Sequence, residues 1–297
     1  MINSKISCYS GKSVVLTTMH NKAKSIASPF KNALGVKIVC TQNINTDTLG
    51  TFTGEIEREG SALETARKKA RLGMQNLNMS LGLASEGSFG PHPSLFIIPG
   101  TQEVMVFVDD NRGIEISEQI ISTETNYNQI SINSIADSKD FLTKVKFPQH
   151  GLIVRQEDPR KNIIDKTHTQ ESLIFKGITN LADLYKAVES CKAASKNNIV
   201  YLETDMRAHM NPTRLKVIRK LALKLASRIR QLCPACACPG FGRSGFIGGL
   251  PCQECDYPSD YPLYEIHSCV SCNFQQQIAR TDGVTHVKAF ECNYCNP

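Results

Sequence analysis

The end of the chain carries four Cys-x-x-Cys pairs: Cys233/Cys236, Cys252/Cys255, Cys269/Cys272 and Cys292/Cys295. A two-residue spacer lets both sulfurs of a pair face one ion. Two pairs complete a four-thiolate tetrahedron, the pattern of structural zinc. Eight thiolates therefore imply two structural Zn ions. Sequential pairing joins 233/236 with 252/255 and 269/272 with 292/295. An interleaved, cross-braced pairing uses the same residues, and spacing does not choose between them. Cys238, in the run CPACACPG, is a spare that can replace Cys236. A catalytic zinc keeps an open position, usually among His or carboxylate ligands, so closed thiolate sites read as structural.

A second kind of chemistry is spread over the rest of the chain. Five dense polar motifs stand out: Thr17–Lys22 (TTMHNK), Asp47–Arg58 (DTLGTFTGEIER), Ser85–Pro93 (SEGSFGPHP), Phe147–Ile153 (FPQHGLI) and Glu203–Arg214 (ETDMRAHMNPTR). They supply carboxylates (Asp47, Glu55, Glu57, Glu86, Glu203, Asp205), cations (Lys22, Arg58, Arg207, Arg214) and histidines (His20, His92, His150, His209). Carboxylates and cations around Gly-rich loops suit Mg²⁺ and phosphate, because Mg²⁺ takes one or two carboxylates plus phosphate oxygens. Histidine titrates near neutrality, which suits His92 and His209 to acid, base or ligand roles beside Asp205.

The elements that position these groups follow from periodicity. Ser13–Thr18 reads as a buried strand, Lys22–Leu34 as a helix stopped by Gly35, and Val36–Cys40 as a strand. Residues 41–60 read as a loop. In Ala62–Met74, Leu63, Ala66, Ala70 and Met74 share one helix face. Leu81–Ala84 reads as a short strand, and Glu103–Asp109 with Gly113–Ile121 as a hairpin. Lys139–Val145 and Leu181–Ala194 read as helices, Gly151–Arg155 and Ile199–Glu203 as strands. Three polar motifs abut strand C-terminal ends, where open α/β sheets bind ligands. The last helix starts at Asn211 and Pro212, with Ile218, Leu221, Leu225, Ile229 and Leu232 as its buried stripe. Arg214, Lys216, Arg219, Lys220, Lys224, Arg228 and Arg230 crowd its other faces, as a solvated face or as a surface for nucleic acid.

Composition bounds the rest. With 297 residues, 41% hydrophobic and 21% charged, the chain suits a folded protein of one or two domains. No apolar run approaches the length of a membrane helix, which predicts no membrane partner. The N-terminal MINSKISCYSGKS lacks the apolar region of a secretion signal, which predicts a cytoplasmic protein. Nine of the twelve cysteines lie from Cys233 onward, and crowded thiols in a reducing compartment are metal ligands rather than disulfides. The net charge of +6 permits an anionic partner without requiring one. Composition shifts at Cys233, so residues 1–232 read as an α/β domain with a mixed sheet and 233–297 as a zinc domain.

Three resemblances add to this reading. The Cys-rich part resembles a double zinc ribbon, which implies a metal-stapled cap or a recognition module. The motif order Thr18-x-x-x-Lys22, Glu64-Thr65-Ala66-Arg67-Lys68-Lys69-Ala70 and Ala84-Ser85-Glu86-Gly87 resembles the inosine/xanthosine triphosphate pyrophosphatase superfamily. That resemblance covers residues 13–155. It implies that Lys22 and Lys69 bind a triphosphate and that Glu86, with Glu55 or Glu64, holds Mg²⁺. It also implies that water attacks the α-phosphorus and releases pyrophosphate. Met19 and Ser88-Phe89 depart from that pattern. The whole chain also resembles a bacterial family of unknown function with TMHxK, GTFTGEIxR, ASEGSFGPHP and ETDMRAHxNPTR motifs, a resemblance that brings no reaction.

The expectation is a Mg²⁺-dependent phosphohydrolase with two structural zinc ions. Its catalytic residues are Glu86, His92, Asp205 and His209. Thr18, His20, Lys22, Arg58, Lys69, Arg207 and Arg214 bind a nucleotide or another phosphate-containing substrate. One alternative is a non-catalytic nucleic-acid-binding protein that uses the basic helix and the ribbon. Another is a zinc hydrolase built on His20, His92 and His209.

Overall fold

The computed structural model describes residues 6–19, 22–41, 44–50, 58–156 and 172–297. The elements run β1 (Ser13–Thr17), α1 (Ala23–Leu34), β2 (Lys37–Cys40), α2 (Ala62–Leu77), β3 (Leu81–Pro91), β4 (Pro99–Asp109) and β5 (Ile114–Ser122). There follow β6 (Gln129–Ile132), α3 (Lys139–Lys144), β7 (Leu152–Arg155), β8 (Ile174–Ile178), α4 (Leu181–Ala194), β9 (Val200–Thr204) and α5 (Pro212–Arg230). The Cys-rich part adds β10 (Gly242–Gly248), β11 (Pro262–Ser268) and β12 (Gln275–Ala279).

The first sheet has the order β2-β1-β3-β4-β5 and is mixed. β1 pairs parallel with β2 and β3, and the β3-β4-β5 meander is antiparallel. Alternation along the strands feeds two cores. Val15, Ala84, Val106 and Val108 face α2, where Ala66, Ala70 and Met74 meet them. Leu16, Leu83, Met105 and Phe107 face α1 and α5, where Phe30, Ile218, Leu221 and Leu225 close the other side. The sheet is thus sandwiched between helices, as its apolar strands require. Burying each large side chain there contributes about 1.5–3 kcal/mol.

Local signals fix the helix ends. α1 stops at Gly35, whose φ of 69° is the left-handed region and whose N–H bonds Lys31 O. α2 opens on a capping box: Ser61 Oγ accepts from the Glu64 N–H while Glu64 Oε2 accepts from the Ser61 N–H. α5 opens on Asn211, whose side chain accepts from the Arg214 N–H, with Pro212 at its first position.

The second sheet, β6-β9-β7-β8, is antiparallel throughout. Phe141, Val145, Leu184, Val188 and Cys191 of α3, α4 and their surroundings pack on Leu152, Val154, Val200 and Leu202. In the Cys-rich part a three-stranded antiparallel sheet, β10-β11-β12, lies between the cysteine turns. Cys238 and Val270 of this part pack against the α1/α5 core, and the Arg228 Nε donates to Gly240 O at 3.2 Å.

Three expectations need correction. Leu81–Ala84 is only the start of an eleven-residue strand, so Ser85–Pro91 is strand and not loop. Leu232 lies beyond the end of α5 and is 44% exposed, so it is not part of the buried stripe. Arg214 is not on a basic surface: it is among the largest fully buried side chains. Lys220, Lys224 and Arg228 are paired with Glu124 and Glu118. Among the described residues, Lys216, Arg219 and Arg230 are the cations of α5 without an acidic partner.

Candidate metal centres and a charged cleft

The first two cysteine pairs fold as copies of one turn, and the last two keep part of it. The Cys233 N–H bonds Cys238 O and the Ala237 N–H bonds Cys233 O. At the second turn Cys252 and Tyr257, then Asp256 and Cys252, repeat this. Ala237 and Asp256 both take positive φ at the equivalent position. Part of the pattern recurs where the Cys269 N–H bonds Phe274 O and the Asn296 N–H bonds Cys292 O. Each turn aims two sulfurs the same way.

The assembled groups are interleaved. Cys233, Cys236, Cys269 and Cys272 form one, and Cys252, Cys255, Cys292 and Cys295 the other, with all four sulfurs within 4.8 Å of one another in each. Cross-pair separations are 3.7 Å for Cys233–Cys272, 3.6 Å for Cys236–Cys269, 3.9 Å for Cys252–Cys295 and 3.8 Å for Cys255–Cys292. A tetrahedron with Zn–S bonds of about 2.3 Å has edges of about 3.8 Å. The sulfurs therefore stand where zinc would hold them, and both groups are compatible with structural zinc. The Cys295 N–H, the foremost influence on the Cys292 sulfur, helps bring its pKa down to about 7. Burial acts upward on Cys269, but the Cys272 and Ser271 N–H groups together with the Cys233 and Cys236 thiols outweigh it and bring it to about 7. Cys238 belongs to neither group; it packs on the core.

The α/β part concentrates charge along β3. Lys69 Nζ, from α2, donates to Glu86 Oε2 at 2.7 Å, and both side chains are almost wholly buried. Arg58 lies on the same side: its Nη1 stands 3.9 Å from Glu86 Oε1 and donates to Gly87 O at 3.2 Å, while Nη2 donates to Ser88 Oγ at 2.9 Å. On the opposite face Lys22 Nζ donates to Ser85 O and Oγ, both at 3.1 Å. Burial, and next the Arg214 guanidinium, pull the Lys22 ammonium down to about 8.

Arg214 is the deepest of these cations. Its Nε donates to Glu103 Oε1 at 2.6 Å and its Nη1 to Met206 O at 2.6 Å. It also sits 5.0 Å from the Phe89 ring centroid. Gly87 lies opposite Glu103 in the β3–β4 register. A Cβ there would come within 2.6 Å of both Arg214 Nη2 and Glu103 Oε1. Only a glycine lets the ion pair cross the strand.

A cleft of about 360 Å³ opens where β3 meets the second sheet, lined by Arg58, Glu86, Ser88, Phe89, Tyr127 and Glu203 among others. Phe89 and Tyr127 stack at 6.1 Å along one wall. Glu203 is paired with Arg155 at 2.6 Å, and burial raises its carboxyl above the ordinary range. Two carboxylates and a guanidinium thus share one cavity.

The remaining expected site residues are placed as follows. Asp205 is fully buried and holds Arg207, with Nη2 to Oδ2 at 2.5 Å, and it also accepts from the Gly177 N–H. Glu64 is engaged with Ser61 at the start of α2. Thr18 is half-buried just past β1. His92 lies in the β3–β4 hairpin, where its Nδ1 accepts from the Ser94 N–H. His209 is exposed in the short turn before α5. Neither histidine hydrogen-bonds Glu86 among the described residues, and His20 and Glu55 lie outside them. Among the described residues the two cysteine groups are the only clusters of three or more such ligands.

Sequence reasoning passed over Glu103, Arg155, Phe89 and Tyr127. Glu103 had one signal, a carboxylate opening the apolar run Val104–Val108. No helix is long and apolar enough to cross a membrane among the described residues. A family model described as a domain of unknown function, DUF6671, matches residues 69–297. No curated protein and no solved structure matches the chain, so the pyrophosphatase resemblance stands on motif order alone.

Proposed function

Because the chain belongs to the DUF6671 family, whose description carries no activity, we propose a function from the cleft and the thiolate groups. The protein binds a phosphate-containing substrate, a nucleotide or related anhydride, at Arg58 and Glu86 and hydrolyses it, while two zinc ions hold the Cys-rich part together. One observation carries the reading. Arg58 and Glu86 line the cleft and Lys69 holds Glu86 from behind, so cations flank a buried carboxylate in the cleft wall.

In this reading Arg58, 29% exposed, takes the phosphate oxygens in its fork. Water adds to phosphorus, the bond to the leaving phosphate or pyrophosphate oxygen breaks, and the water's proton passes to a cleft carboxylate. Glu203, with its raised affinity for protons, suits that last role. Lys69 keeps Glu86 oriented. Mg²⁺, arriving with the phosphates, would neutralise charge. Glu86 is the carboxylate among the described residues that would meet it. Glu64 is turned back on its own helix, which does not support its share in the Mg²⁺ set implied by the resemblance.

The nucleic-acid reading through α5 has less support, because Arg214, Lys220, Lys224 and Arg228 are neutralised within the chain. A zinc hydrolase on His92 and His209 has no supporting cluster among the described residues.

A pyrophosphate- and phosphate-release screen against standard and damaged nucleoside triphosphates with Mg²⁺ tests the proposal. Release lost in both Glu86→Gln and Arg58→Ala is the expected result. Release that survives Glu86→Gln removes the cleft from the mechanism.

A further inference from the structure

A second groove opens beside the cleft, with a volume of about 1160 Å³. Its walls come from distant parts of the chain: β4, β5 and the start of α2 on one side, β10 of the Cys-rich part on the other. Arg58 and Ser88 line both the groove and the cleft, so the two spaces adjoin at these residues. Arg58, Lys224, Arg228 and Arg243 face the groove against one carboxylate, Glu118. Glu118 is already shared by Lys224 and Arg228 at 2.8 and 2.9 Å. Two cations thus share one carboxylate and Arg58 adds a third at the cleft, while Arg243, 62% exposed on β10, is paired at the surface with Glu265 at 3.3 Å. Beside Arg243 on the same strand, Phe246 leaves 58% of its surface open to solvent.

We infer that this groove receives single-stranded nucleic acid, whose terminal phosphate enters the cleft. The inference deepens the phosphate reading above and rests on it. The groove has about three times the volume of the cleft, more than a mononucleotide needs. Proteins that hold single strands without regard to sequence combine a positive groove for the backbone with exposed rings on which bases stack. Arg58 and the surface-exposed Arg243, with the net positive Lys224–Glu118–Arg228 cluster between them, supply the first and Phe246 the second. An acidic peptide would match the charge but would gain nothing from a ring or from a phosphate-sized cleft at the end of its path. Arg228 ties the two parts together, its Nε donating to Gly240 O just before β10 and its Nη1 to Ser117 O of β5.

The test is fluorescence anisotropy on the intact, metal-loaded protein with ten-nucleotide dT and rU oligomers carrying a 5′-phosphate. Mononucleotide and polyglutamate serve as competitors. The oligomer is expected to bind at least tenfold more tightly than the mononucleotide. Arg243→Ala and Phe246→Ala, both at exposed positions, should each weaken it about tenfold. Arg243→Ala should also lower the salt slope by about one, the mark of a lost phosphate contact. Equal binding of oligomer and mononucleotide overturns the groove and leaves the cleft reading intact. Polyglutamate competing as well as the oligomer overturns it in favour of an acidic protein partner. Oligomer binding that depends on Arg243 but is indifferent to the 5′-phosphate upholds the groove and removes the cleft reading.

Discussion

Each cysteine group draws its ligands from two tight turns in which the paired thiolates are separated by two residues. The charged cluster along β3 draws Arg58, Lys69, Glu86, Glu103 and Arg214 from five separate segments. The first arrangement is local twice over and needs one tertiary decision, which pair joins which. The second needs every element in place before any charge finds its partner. Ligand geometry is therefore legible at short range in one region and wholly a product of the fold in the other.

That contrast predicts where damage is largest. Cys252 is fully buried and shares a small core with Leu250, Val287 and Cys292. Replacing it with Ser removes a thiolate and leaves one zinc per chain instead of two. Because binding and folding of such modules are one event worth about 10 kcal/mol or more, β11 and β12 should lose their order. Metal content by mass spectrometry and amide exchange across residues 250–297 report both. Two retained zinc ions with unchanged protection would show that the turns hold themselves.

The next largest effect belongs to the buried pair of the other region. Arg214→Ala strands Glu103, which is fully buried, and should cost about 3–5 kcal/mol in denaturant unfolding. Gly87→Ala pushes a methyl into the same pair and should cost about 1–3 kcal/mol. The two losses should not add, because removing the guanidinium frees part of the space the methyl needs. Additive losses would separate Gly87 from the ion pair.

Lys22 gives a pH-dependent test of the same region. Its folded pKa is lowered from 10.5 to about 8. Between those values the unfolded chain holds a proton that the folded chain has released, so this group adds stability as pH rises through that window. Relative to Lys22→Met, the wild-type chain should gain about 3 kcal/mol between pH 7.5 and 10.5. A difference independent of pH would mean that Lys22 is solvated in the native state.

The legible part of the fold follows the same division between local and distant causes. α4 runs Leu181–Ala194, as its periodicity predicts, and α5 starts at the Asn211 cap, because caps and apolar stripes act within a few residues. The length of β3 was not legible. Ser85-Glu86-Gly87-Ser88 is polar and Gly-rich, the composition of a loop, yet it pairs with β4 up to Pro91–Pro99. Strand preference depends on context: those polar groups are stable in a sheet because Lys22, Lys69 and Arg58 reach them from other elements. β6 and β8 were missed for a related reason. Each is short and gains its place only by pairing with a strand from elsewhere in the chain, β6 with β9 and β8 with β7. In the candidate site the cations and Glu86 were visible by residue type. Glu103 and Glu203 acquire their meaning only from register and from the meeting of two sheets.

The smallest predicted effect tests the cysteine turns directly. Cys238 stands two residues from Cys236, and spacing alone makes it a competent ligand. The turn excludes it, because Cys238 O accepts the Cys233 N–H at 2.8 Å and its side chain packs on the α1/α5 core. Cys238→Ala should therefore keep both zinc ions and lose only the packing of a half-buried sulfur, about 1 kcal/mol or less. Cys236→Ala, one turn position away, should lose a zinc, and Cys238 should not rescue it. If the Cys236→Ala protein still binds two ions, the backbone of this turn is softer than its hydrogen bonds imply. The exchange of one thiolate for the other would then be open to the native protein as well.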